Sequence, residues 1–174
     1  MGATQIHGDL PLDDNSTIVD LARHYAADRP DSIAYTFLDE SGEEIDSLTF
    51  SDVDLRARRI GACLQEKGFF GERALLLFPT GAHFVSAFFG CQYGGVTAVP
   101  TYPPERRKAI YWERIRKIID DADIRLIITS DSERSRIFEW LEEQSLDAKI
   151  TLLSGDILSD ETMISGAADE PELT

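Results

Sequence analysis

The sequence predicts an α/β protein built on a parallel β-sheet, and three observations carry that prediction. From Arg73 onward, short apolar segments recur with helical segments between them. The run from Phe84 to Pro104 writes out a helix, a glycine stop, a strand and a proline-stiffened loop in about twenty residues. Ahead of these, two strand-like segments flank the turn Ser41-Gly42 as the arms of a hairpin do. Segments that are apolar nearly throughout are buried on both faces, the mark of a parallel sheet flanked by helices. The predicted architecture is therefore a flavodoxin-like βαβ array of four strands with right-handed crossovers, preceded by a helix and a β-hairpin.

Taken in order, Ser16-Thr-Ile-Val-Asp20 reads as a helix start with Ser16 or Thr17 as N-cap, and Ile18, Leu21, Ala22 and Tyr25 recur at helical spacing until Pro30 stops the run. The hairpin arms are Ile33–Glu40 and Ile45–Phe50, without an evident place in the larger sheet. Thr49 and Asp52 stand at capping-box spacing for a second helix, with Val53, Ile60 and Leu64 on one face and Gly68 as terminator. The sheet strands are expected at 74–78, 96–99, 125–129 and 149–153, and the intervening helices at about 82–93, 108–122 and 133–144. Gly94-Gly95 reads as a helix C-cap and turn. The chain thus divides into residues 1–72 (helix, hairpin and connecting helix), 73–153 (the parallel subdomain) and 154–174, an acidic tail whose six carboxylates have no Lys or Arg among them. Such a tail leads out of a domain or stays disordered.

Composition sets the function classes. With 174 residues and 43% hydrophobic content the chain has enough apolar material for a core. Its net charge of −15 repels polyanions, which argues against nucleic acid as a partner. No apolar stretch is long enough to span a membrane, and the first residues lack the basic and apolar regions of a signal peptide, so the expected location is cytoplasmic. Cys63 and Cys91 each lie in an apolar helical pattern and are expected to be buried; no metal site is expected from them.

Candidate chemistry is sparse. A Gly-x-x-x-x-Gly-Lys-Ser/Thr phosphate loop is absent, and His7, His24 and His83 lie at no nucleophile or metal spacing. His83 alone falls near the carboxyl edge of the predicted sheet, where a helix N-terminal hydrogen-bonding role is favoured. Phe84, Phe88, Phe89 and Tyr93 form an aromatic face that could line an acyl tunnel, although core packing on the sheet is the favoured reading. Arg106, Arg107, Lys108, Arg114, Arg116 and Lys117 gather six positive charges against Glu113, either to locate an anionic ligand or as a solvated face pairing with Asp120, Asp121 and Asp123. Tyr102-Pro103-Pro104 is a rigid loop at the ligand-binding edge of the predicted sheet. Tyr102, Arg106, Arg107 and Arg114 are the candidate substrate-binding residues, with no catalytic or metal-binding residue assigned.

Leu48-Thr-Phe-Ser-Asp-Val53, Phe88 through Pro104 and Ala122-Asp-Ile-Arg-Leu-Ile-Ile-Thr129 together resemble the N-terminal part of adenylate-forming acyl ligases. The first is similar to that family's Leu-Thr-Tyr-x-Glu-Leu signature, with Phe50, Asp52 and Val53 departing at the Tyr, Glu and Leu positions. The second is similar to its Ala-Gly-x-x-x-x-Pro signature, with Tyr93 at the alanine position. Tyr102-Pro-Pro104 and Tyr35-Thr-Phe-Leu-Asp-Glu40 resemble the fatty acyl-AMP ligase branch, and the resemblance spans about residues 16–153. It implies a parent enzyme that joins a fatty acid to ATP as acyl-adenylate, with magnesium, and delivers the acyl group to the phosphopantetheine thiol of an acyl carrier protein. The family's phosphate, magnesium, ribose and catalytic-lysine residues belong to later motifs. The resemblance therefore implies an N-terminal fragment that is non-catalytic alone, binds no cofactor itself and has exposed edges able to self-associate. The alternatives are a free-standing flavodoxin-like domain that binds a small anion or regulates, and a fragment of a fatty acyl-CoA ligase.

Overall fold

The computed structural model describes residues 16–104 and 109–155. Expectations for Arg106, Arg107, Lys108 and nearly all of the acidic tail lie outside the described residues. The chain runs α1 (Ile18–Asp28), β1 (Ile33–Leu38), β2 (Glu44–Thr49), α2 (Phe50–Glu66), β3 (Arg73–Leu77), α3 (Ala82–Tyr93), β4 (Thr97–Thr101), α4 (Ala109–Asp121), β5 (Leu126–Thr129), α5 (Asp131–Glu143) and β6 (Thr151–Ser154).

Both early helices begin on reciprocal caps. Asp20 N–H donates to Thr17 Oγ1 at 3.2 Å while Thr17 N–H donates to Asp20 Oδ2 at 2.8 Å. Thr49 and Asp52 repeat the arrangement at 3.1 and 2.9 Å, so two of the orphan amides at each helix start are satisfied. Between them, β1 and β2 pair antiparallel as a sheet of their own. Asp39 Oδ1 accepts from the Ser41 and Glu43 amides, and Gly42 takes φ +84°, a left-handed turn conformation suited to glycine. Leu48 is fully buried, with Ala22, Val53, Ala57, Val85 and Phe89, so the hairpin is docked on α2 and α3.

The larger sheet is parallel throughout, in the order β4-β3-β5-β6. The chain steps from β3 to one side, then returns past β3 to the other. Crossovers of a single hand that reverse direction must lie on opposite faces, and the core clusters agree. Leu76, Leu126 and Ile128 pack with Ile60 and Leu64 of α2 and Ala87 and Cys91 of α3. Leu75, Leu77 and Ile127 pack with Ile115 and Ile119 of α4 and Ile137, Trp140 and Leu141 of α5. The result is three layers, helices over sheet over helices. No helix among the described residues is long and apolar enough to cross a membrane.

Two sequence expectations are corrected by the strand order. Burial on both faces holds for the central strands β3 and β5, whereas β4 and β6 are at the edges and only partly covered. β4 also continues through Pro100 to Thr101, where an interior strand could not tolerate proline; an edge strand can, because one side has no ladder to complete. β6 begins at Thr151, two residues later than expected, because Lys149 N–H and Ile150 N–H both donate to the Leu146 carbonyl and close a turn ahead of it. α5 starts at Asp131, directly after the Ser130 cap, instead of at 133.

Candidate functional site

In open parallel sheets, ligands meet the carboxyl edge where successive crossovers leave in opposite directions. That reversal occurs here between β3 and β5, and the adjoining loops form a cleft of about 400 Å³. Pro79 and Thr80 follow β3, Tyr102, Pro103 and Pro104 follow β4, and Glu133 and Arg136 come from the first two turns of α5. At the carboxyl ends of the two central strands, Thr129 Oγ1, fully buried, donates to the Leu77 carbonyl at 2.6 Å and ties β5 to β3. Ser154 Oγ, at the end of β6, donates to Asp131 in the first turn of α5. Asp131 and Glu133 carry negative charge where the helix macrodipole is positive, which favours the α5 start.

Tyr102 lines the cleft with 74% of its surface exposed. Its loop is anchored by Arg136, whose Nη1 donates to the Pro104 carbonyl while Nη2 pairs with Glu133. The guanidinium sits 5.4 Å from the Trp112 ring centroid, and Trp112 stacks on Trp140 at 4.8 Å. Arg114 is exposed on α4 and is not among the described residues lining the cleft. Of the predicted site residues, the structure therefore brings Tyr102 to the edge, leaves Arg114 outside it, and Arg106 and Arg107 fall outside the described residues. Glu133 and Arg136, which the sequence reading does not single out, also line the cleft. Their i, i+3 spacing is readable as a helix-surface ion pair, but nothing in the sequence points from Arg136 to a carbonyl thirty-two residues earlier.

The remaining candidates are placed as follows. Arg116 pairs with Asp120 at 3.1 Å along α4, and in the loop that follows Arg125 pairs with Asp123 at 3.4 Å. Arg116 and Lys117 also border a second groove of about 690 Å³ between α4 and α5, with Trp112, Trp140, Glu139 and Glu143. The aromatic face of α3 is core: Phe88 meets Phe89 edge-on at 5.7 Å, and Phe84 and Phe88 pack against the sheet and the hairpin layer. Tyr93 donates to Asp54 Oδ1 at 2.7 Å, and burial together with that carboxylate pushes its hydroxyl pKa far up. Cys91 is buried and its thiol is pushed up to about 12 by that burial; Cys63 is half-buried and raised for the same reason. Neither is a reactive thiolate near neutral pH. Among the described residues no group of three His, Cys, Asp or Glu could hold a metal ion.

Comparison with known proteins gives these features a setting. The sequence profile of the family described as AMP-binding enzyme matches residues 22–173. A medium-chain-fatty-acid–[acyl-carrier-protein] ligase, JamA of Moorena producens, is 38% identical over 138 residues, 77% of this chain and 23% of its own length. The long-chain-fatty-acid–AMP ligase FadD32 of Mycobacterium marinum is 27% identical over 96% of this chain and 26% of its own. Among solved structures, the fatty acyl-adenylate ligase of L. pneumophila in complex with acyl adenylate and pyrophosphate superposes with a TM-score of 0.67 at 28% identity, over 80% of this chain and 23% of that one. The chain spans about a quarter of the length of each of these three relatives.

Proposed function

The chain belongs to the AMP-binding enzyme family, and from that premise we propose that it forms part of an ATP-dependent fatty acyl-AMP ligase. In the proposed reaction the fatty-acid carboxylate attacks the α-phosphorus of ATP, the bond to the β-phosphate oxygen breaks, and acyl-adenylate and pyrophosphate result. A phosphopantetheine thiol of an acyl carrier protein then attacks the acyl carbonyl and AMP leaves. The observation that carries this reading is the joint likeness to ligases of this kind, 38% identity to JamA over 77% of the chain together with the fold shared with the L. pneumophila ligase.

Within that reaction, the part proposed for this region is to shape and charge a surface. Tyr102 offers an aromatic face at the cleft, while Arg106 and Arg107, and Arg114 on α4 outside the cleft lining, offer guanidinium groups suited to a phosphate-bearing substrate. The role proposed for these residues is binding and positioning.

The test is fatty-acid-dependent ATP–pyrophosphate exchange in this chain joined to the remainder of a ligase, with no exchange above background expected from the 174-residue chain alone. Acyl transfer is then compared between a holo carrier protein and CoA at equal concentration, since specificity is a difference of affinities. Preference for the carrier supports the acyl-AMP ligase reading; preference for CoA makes the parent an acyl-CoA ligase; absence of exchange in the joined protein refutes both.

A further inference from the structure

We propose that Arg136 is a positioning residue that sets the Tyr102-Pro103-Pro104 loop at the carboxyl-edge cleft, a role that rests on reading that cleft as a substrate-contacting surface. The loop has few ways to be held. Pro103 and Pro104 lack N–H groups, so their only backbone handles are carbonyl oxygens. Arg136 takes the last of these, with Nη1 donating to the Pro104 carbonyl from across the cleft.

The guanidinium is in turn fixed from two other directions. Glu133 pairs with Nη2 from one turn back, and the cation lies 5.4 Å from the Trp112 ring, itself stacked on Trp140 at 4.8 Å. The Arg136 side chain is only 16% exposed, so water competes weakly for its bonds to the loop. Three restraints on one planar group require a fork of donors at fixed angles, which arginine has and lysine lacks. Two prolines restrict φ, and the residue before them is held extended, so the loop is a stiff strut joined to β4 at one end and to Arg136 at the other. Tyr102, 74% exposed at its start, thus takes its place from a bond made two residues further on. Arg136 also lines the cleft, and the role proposed for it is to set the shape of that surface by holding the loop.

The experiment reads Tyr102 directly. In the 174-residue chain labelled with 3-fluorotyrosine there are five tyrosine lines, and Tyr102→Phe identifies one of them. Arg136→Lys and Arg136→Met are both expected to shift or broaden the Tyr102 line while Tyr25, Tyr35 and Tyr93 stay in place. Tryptophan emission should change as well, because both tryptophans of the chain belong to this cluster. An unmoved Tyr102 line, a wild-type line in Arg136→Lys, or a common shift of all five lines would overturn the proposal; should Arg136→Met not fold, Arg136→Lys carries the test. In the joined ligase, Arg136→Lys is expected to raise KM for one substrate by about five-fold with kcat within about two-fold, and to have no further effect in a Tyr102→Ala background. Additive effects would also overturn it. A wild-type ligase without fatty-acid-dependent exchange would remove the ligase reading, while the fluorine spectra still decide whether Arg136 positions the loop.

Discussion

On one face of the sheet, Leu76 and Ile128 meet α2 and α3, whose backbones approach each other through glycine. A Cβ on Gly90 would lie 2.4 Å from Ile60 Cγ2, and one on Gly61 would lie 2.9 Å from the Gly94 amide nitrogen. On the other face, Leu75 and Ile127 meet α4 and α5, where a stacked tryptophan pair fills the space and charged residues border two grooves. Successive residues of one strand therefore enter two kinds of packing. Close helix contact through glycine resists rearrangement, whereas bulky side chains between helices hold them apart and leave clefts at the rim. The face that carries the candidate site is the loosely closed one.

The largest expected effect tests that contrast inside β3. Leu75 and Leu76 are both fully buried. Leu76→Ala should cost about 4 kcal/mol because glycine-tight helices cannot collapse into the cavity, and Leu75→Ala about 2.5 kcal/mol because the tryptophan side can relax. Urea unfolding measures both, and equal losses, or the reverse order, would break the distinction between the faces. Next, Gly90→Ala should cost about 2 kcal/mol, since the clash is with Ile60 Cβ at 2.5 Å as well as its methyl group, and a β-carbon cannot swing away. Unchanged thermal stability would mean that α2 and α3 separate readily.

The smallest effect concerns the α2 start. Thr49→Ala should cost about 1 kcal/mol through loss of the cap. Its pH dependence has a definite sign: the side-chain hydrogen bond from Thr49, then the Thr49 amide, lower the Asp52 pKa below its ordinary 3.8. A lowered folded pKa adds stability that is present above 3.8 and lost as pH falls through the folded value. Asp52→Asn should flatten that part of the stability profile, and a profile identical to wild type would show that the cap is not titrating there.

Signals confined to a few residues were legible in advance. Thr17 with Asp20 and Thr49 with Asp52 announced two helix starts, Ser41-Gly42 the hairpin turn, and the apolar runs the sheet, because each depends on spacing within one turn or one strand. The position of the Tyr102 loop, directly after a sheet strand, is legible too, since prolines stiffen a loop wherever it lies. Arg114 is legible as a charge on α4, and its distance from the cleft depends on the tertiary arrangement.

What the sequence by itself determined is the local grammar: element types, most boundaries to within about two residues, and the parallel α/β class, all governed by backbone periodicity and capping. Tertiary structure alone decided the strand order, and with it which apolar strands became edges and how Pro100 could sit in one. It also decided that Gly61 would face Gly94 and that Arg136 would reach Pro104. These contacts join residues about thirty positions apart, and they exist only after the crossovers have chosen their faces. No spacing rule along the chain reports that choice.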